Sequence, residues 1–187
     1  MRVWRRGILL AVVLTCAGAC ALTRRTPHIR YYVLTVPGTP PALAAPVRVG
    51  TFTADQAYAT PRLAYRTSPY SIDYYIYHRW AADPRQLVAS ATRDYLERGA
   101  GRDGGPPFVI EGNVRRLEEV DEANGRQGAI ALDVRVERDG QVVLDRSYVE
   151  VEPADGKNPE AVTAALSRAL GRILNQVAGD LAASDGH

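Results

Sequence analysis

The chain has 187 residues, 46% hydrophobic and 24% charged, with a formal charge of +2. That composition suits one globular domain with a full core, and it lacks the low hydrophobicity of a disordered chain. Arg2, Arg5 and Arg6 lie in a segment expected to be removed, leaving 20 basic residues against 21 acidic, and a near-neutral domain gives no electrostatic reason to take nucleic acid as a partner.

The first twenty residues read as an address. Arg2, Arg5 and Arg6 form a basic n-region, Gly7 to Leu14 an apolar stretch, and Ala17-Gly18-Ala19 a small-residue cleavage site, so residues 1–19 are predicted to be a signal peptide. The uncharged run 7–22 is sixteen residues long, short of the roughly 20 that a membrane span needs. The segment Leu14 to Cys20 resembles the lipobox of bacterial lipoproteins, with Cys20 as the residue that becomes acylated. Cys16 fits poorly, because Thr15 before it is bulkier than such a site prefers. Ala17-Gly18-Ala19 would also satisfy the ordinary secretory peptidase, which leaves a soluble secreted protein as the alternative. No cysteine follows Cys20, so the folded domain can have neither a disulfide framework nor a Cys-based metal site. One acyl chain holds a protein only marginally, at ~0.8 kcal/mol per buried CH₂, so stable anchoring takes two or more on Cys20. The residue after Cys20 is Ala21 and not Asp, which in Gram-negative lipoproteins implies the outer membrane. Residues 20–30 are assigned as lipidated cysteine and tether, and residues 31–184 as the folded domain. The nine tether residues 21–29 reach at most about 30 Å.

Tyr31 to Val36 is β-rich, and the proline-rich stretch from Pro37 to Pro46 breaks regular structure before a second strand, Val47 to Phe52. Leu63 to Arg66 and Ser71 to Tyr77 are two further strand candidates. Asp83-Pro84-Arg85-Gln86 opens a helix, with Asp83 as N-cap, Pro84 at the first helical position and Gln86 placed for a capping box. Leu87, Val88, Ala91, Tyr95 and Leu96 share one face of it, and Gly99 ends the run. Gly99-x-Gly101 and Gly104-Gly105 follow a helix instead of joining a strand to one, so they read as a flexible loop. Phe108, Ile110 and Val114 alternate with polar residues, as do Ile130, Leu132, Val134 and Val136. Asn124-Gly125 and Asp139-Gly140 are hairpin turns, and Gln141 to Glu152 completes an antiparallel meander. Asn158-Pro159 opens the last helix. Its stripe of Val162, Leu166, Leu170, Ile173, Leu174, Val177 and Leu181 is expected to cover the sheet, with self-association into a homo-oligomer as its other use. The expected fold is α/β, a single-domain sandwich of a mixed sheet, antiparallel meander plus N-terminal strands, with two main helices.

Residues able to carry chemistry are sparse. His28, His78 and His187 have no second His, Cys or carboxylate at ligand spacing, and no nucleophile elbow, phosphate loop or dinucleotide fingerprint occurs. No cofactor, metal site or catalytic residue is assigned. The acidic pairs Glu118-Glu119 and Asp121-Glu122 are expected to be solvated charge at a sheet edge.

The conspicuous tract is Leu63-Ala64-Tyr65-Arg66 followed by Tyr70 to Pro84, including Tyr74-Tyr75-Ile76-Tyr77-His78-Arg79-Trp80. Tyrosines suit half-buried strands, and Trp80 would plug the gap between sheet and first helix. Tyr, Trp and Arg also dominate protein interfaces, which makes Arg66, Tyr74, Tyr75, Tyr77, Arg79 and Trp80 the candidate partner-binding residues. The Tyr-Arg pair, the tyrosine run ending His-Arg-Trp and the Asp-Pro helix start resemble the ABC-type transport auxiliary lipoproteins, the family of paraquat-inducible protein C. The resemblance extends from Tyr31-Tyr32-Val33-Leu34 to the closing helix. It implies a mixed α/β sandwich and a non-enzymatic, periplasmic, lipid-anchored accessory of an MCE-type lipid transport system. The implied partners are an MCE-family periplasmic protein and an ABC transporter complex. A lipid-carrying module, an outer-membrane biogenesis lipoprotein and a periplasmic hydrolase are the competing classes.

Overall fold

Alternation and turn chemistry produce the meander that organises the sheet. In the computed structural model, which describes residues 27–102, 105–123 and 125–184, three long strands run antiparallel: β5 (Phe108–Glu122), β6 (Gly125–Arg138) and β7 (Gln141–Pro153). Asp139 and Gly140 turn the second hairpin with φ of 51° and 72°, the left-handed pair that a tight hairpin requires. Asn124 of the first hairpin lies outside the described residues, as do the signal segment, Cys16, Cys20, most of the tether and His187.

The other edge of β5 is shared. β2 (Val47–Ala54) runs parallel to its first half and β3 (Arg62–Ser68) parallel to residues 118–120. β4 (Ser71–Trp80) then pairs antiparallel with β3, and β1 (Arg30–Tyr32) closes that edge in parallel with β4. The result is a mixed seven-stranded open sheet. β4 is longer than the predicted strand, continuing through His78 to Trp80 because β1 and β3 pair with it there.

Two helices lie on one face. α1 (Pro84–Leu96) packs on β2, and α2 (Pro159–Ser184) crosses β6 and β7 and touches α1. Asp83 caps α1 by accepting from the Arg85 amide at 2.9 Å, and the Arg85 guanidinium closes over the same carboxylate. Arg85 thus reinforces the cap as a further donor to Asp83, a different contact from the Gln86 bond to the Asp83 amide that a capping box adds. Asn158 caps α2 through the Ala161 amide. All seven members of the α2 stripe are buried, facing Ile130, Leu132, Val134 and Val136 from β6. The opposite face of the meander carries polar pairs, Ser147 donating to Asp133 and Arg135 pairing with Asp145, beside the exposed Val149 and Val151.

Two sequence expectations are corrected. The predicted strand Tyr31 to Val36 ends at Tyr32, because the β4 chain turns away after Trp80. Leu34 and Val36 leave the sheet and bury beneath the helices, with the Thr35 amide bonded to Ser167 Oγ. The Gly99–Gly101 stretch is docked: Leu43 N–H bonds the Gly99 carbonyl, and a Cβ on Gly99 would meet the Pro41 oxygen at 2.3 Å.

Candidate functional site

The tyrosine tract folds as the β3–β4 hairpin, where β-branched and aromatic residues fit a half-buried pleated surface. Its second strand stands next to the edge of the sheet, close to where the tether enters. Glu118 and Glu119 of β5 lie beside it. Successive residues of a strand point to opposite faces, so these two carboxylates serve two different clusters.

Glu118 faces away from the helices. It accepts from the Tyr58 hydroxyl at 2.8 Å, and the guanidinium groups of Arg66 and Arg116 close over it. Arg66 Nε is 2.6 Å from Glu118 Oε1, yet its N–H is off the hydrogen-bond line, so that contact is electrostatic while the other Arg66 nitrogen makes the bond. Burial and then the bond to Glu118 push the Tyr58 phenol up to about 12. Glu118 raises Arg66 in turn, chiefly through its hydrogen bond.

Glu119 faces the helix side. It accepts from the Tyr75 hydroxyl at 3.0 Å and pairs with Arg126 Nε at 3.1 Å. Burial raises the Glu119 carboxyl above its usual range, opposed by Tyr75 and Arg126, and burial likewise raises the Tyr75 phenol. From Tyr75 a run of rings leads to the tether. Tyr65 lies 4.7 Å from Tyr75, His78 stands edge-on to Tyr75 at 5.2 Å, and the Tyr32 hydroxyl meets His78 Nδ1 at 2.8 Å. Desolvation, with Arg30 nearby, lowers the His78 pKa.

The acidic pair is thus not solvated edge charge. Glu118 and Glu119 are 1% and 2% exposed, because β3 and β6 pair with β5 on both sides and the two faces are covered at that point. Each buried charge has guanidinium and phenol partners, the condition under which burial is tolerated.

The candidate partner-binding residues divide. Trp80 is 3% exposed and belongs to the core. Arg66 is half-buried on Glu118, Tyr74 bonds the Ala57 carbonyl at 2.9 Å, and Tyr75 is held by Glu119 and Arg126. Arg79 is partly buried, with Nε lacking an acceptor. Tyr77 is exposed, and so are Ile76 beside it and Tyr70 at the turn of the hairpin. Cys20 lies outside the described residues. Sequence reasoning missed both clusters: Tyr58 and Arg116 with Arg66 on Glu118, and Arg126 with Tyr75 on Glu119. The one local signal was Arg116, two residues before Glu118 on the same strand and so on the same face.

Two open clefts adjoin the tract. One, of about 790 Å³, runs between residues 28–37 and the first turns of α2, and one of about 760 Å³ lies beside Arg66 and Arg116. Among the described residues no group of three or more His, Cys, Asp or Glu is placed to hold a metal, and no helix is long and apolar enough to cross a membrane.

Fold and site together define an α/β domain whose strongest charges are neutralised internally and whose tyrosine-rich hairpin lies at the open edge of its sheet. The chain belongs to the ABC-type transport auxiliary lipoprotein family, whose model matches residues 32–178. That family is a transport component and not an enzyme class, and its lipoproteins are associated with membranes on the periplasmic side. The fold is similar to that of protein XCC0632 from Xanthomonas campestris, assigned to the DUF330 family, with a TM-score of 0.68 and 21% identity over 84% of this chain and 97% of that one. A second, uncharacterized protein is similar at a TM-score of 0.66 and 13% identity, over 83% of this chain and 99% of the other. No curated protein matches the chain.

Proposed function

We propose that this protein is an accessory of an MCE-type ABC lipid transport system, held by acyl chains on Cys20 in the periplasmic leaflet of the outer membrane. It acts by binding a protein partner and carries out no chemistry. The observation that supports this most directly is the family match across the folded domain, preceded by the lipobox-like Leu14 to Cys20. Ala21 after the acylated cysteine supports the outer-membrane assignment. Tethering supplies the mechanism: a leash of a few tens of Å confines the domain and raises its effective concentration for a membrane-spanning partner.

The solvent-facing part of the tract, Tyr70, Ile76 and Tyr77, is the partner surface in this reading, since Trp80, Tyr75 and Arg66 are engaged inside the domain. A photo-crosslinking residue at position 77 tests it. Capture of an MCE-family protein in cells supports the reading. Failure to capture one, with stoichiometric lipid co-purifying instead, would favour a lipid-carrying module.

A further inference from the structure

The first acidic residue after Cys20 is Asp55, and between them the chain carries Arg24, Arg25, Arg30 and Arg48. The stretch nearest the anchor is therefore wholly cationic. It joins the sheet at β1, where pairing sets Tyr31 beside Arg79, and Arg79 lies opposite Arg62 on β3. Paired residues project from the same face, so Tyr31, Arg79 and Arg62 form one row across three strands.

Tyr31 is 62% exposed, and Arg62 is exposed. Among the described residues neither Arg62 nor Arg79 has an ion-pair partner, and Arg79 Nε is buried without an acceptor. This contrasts with Arg66, Arg116 and Arg126, which all close on carboxylates. Like charges directly opposite each other on neighbouring strands repel unless an anion sits over them, and guanidinium pairs suit phosphate oxygens in particular.

We propose that the Tyr31–Arg79–Arg62 row docks the domain onto phosphate-bearing headgroups of the membrane that holds its anchor. The proposal rests on the acylation of Cys20. Seven residue steps separate Cys20 from Pro27, a span of at most about 25 Å, so the row is leashed within reach of the headgroup layer. Tyrosine settles at headgroup depth, and arginines near the surface are drawn to anionic lipid. The leash and the row act together: acyl chains hold the protein at the bilayer, and the row fixes which edge of the sheet faces it.

The test uses the mature acylated protein in vesicles of phosphatidylcholine and in vesicles enriched in phosphatidylglycerol, read by amide hydrogen exchange. Exchange across 29–33 and 78–80 should slow on the anionic vesicles and recover in high salt. The unacylated Cys20→Ser chain should co-sediment weakly with the anionic vesicles, and Arg62→Gln should reduce that binding about fivefold, the share expected of one surface arginine. Tyr31→Ser, at an exposed position, provides a second variant that leaves the core untouched. Equal exchange on both vesicles and in detergent overturns the proposal, as does protection that appears only when a protein partner is added. An N-terminal peptide without acyl mass overturns the anchor instead, and binding of the unacylated chain still decides the row.

Discussion

Gly128 of β6 lies directly beneath Leu166 of α2: a Cβ on the glycine would stand 2.7 Å from the Leu166 amide nitrogen and 3.1 Å from the Val162 carbonyl oxygen. The helix rests on bare backbone there, between Glu119 on β5 and Glu152 on β7, the strand positions paired with Gly128. Backbone cannot swing aside as a side chain can. Gly128→Ala is expected to push α2 off the sheet and destabilise by about 1–3 kcal/mol, read as a lower urea midpoint at unchanged slope. An unchanged midpoint would mean that the helix does not approach so closely.

Arg66 and Arg116 share Glu118, so their losses should not add. Either Arg→Ala substitution leaves the carboxylate one guanidinium and the Tyr58 hydroxyl, and about 1–2 kcal/mol is expected for each. Removing both leaves a buried charge with a single phenol, for which about 3–5 kcal/mol is expected. A double-mutant cycle in urea checks this: a sum larger than its parts supports the shared site, and strict additivity contradicts it.

The buried phenols give stability a definite sign at alkaline pH. Tyr58 keeps its proton in the fold until about 12, while the unfolded chain releases it near 10. In that window the native state binds more protons, so stability falls as pH rises, and Tyr75 and Tyr148 push the same way because burial raises them too. Tyr58→Phe should flatten part of this decline. Denaturation curves at stepped pH should show a shallower slope for the variant between pH 10 and about 12; an identical slope would count against the Tyr58–Glu118 bond.

Much of this architecture follows from periodicity. The α2 stripe from Val162 to Leu181 pointed to a covering helix, and Asp139-Gly140 to a turn between strands of the meander. Strand order was not legible, because an alternating pattern says which face is buried and not which strand lies alongside. β3 beside the second half of β5 is what encloses Glu118 and Glu119, and nothing local to those residues marks it. Leu34 and Val36 likewise fit a strand and a segment wedged beneath helices equally well. The tyrosine tract could be located from composition, but its division into locked Tyr75 and open Tyr77 depends on partners more than forty positions away in sequence, such as Glu119 for Tyr75.

Anchoring should depend on one cysteine. Cys20→Ser is expected to release the protein from membranes and Cys16→Ser to leave it bound, because only Cys20 follows the small residues that the lipobox requires. Fractionation of cells and mass spectrometry of the N-terminal peptide check both. An unmodified Cys20 at the mature N-terminus would end the lipoprotein assignment of this residue.

Tyr77 and Trp80 are three residues apart on β4 and should respond to alanine in opposite ways. Trp80 is 3% exposed, and its backbone N–H is bonded to the Pro61 carbonyl at 2.7 Å, so removing the indole opens a cavity. Its loss is expected to cost ~3–5 kcal/mol of stability. Tyr77 is 39% exposed, and truncating it leaves the core intact. If it is an interface hot spot, Tyr77→Ala should weaken partner binding by about 1–2 kcal/mol at an unchanged melting temperature. Arg66→Ala and Tyr74→Ala belong with Trp80 in this comparison, since Glu118 and the Ala57 carbonyl hold those side chains within the domain. Thermal unfolding beside a quantitative pull-down separates the two behaviours. Should Tyr77→Ala lower the melting temperature and leave binding intact, the exposed side of the tract is structural and the partner contacts another face.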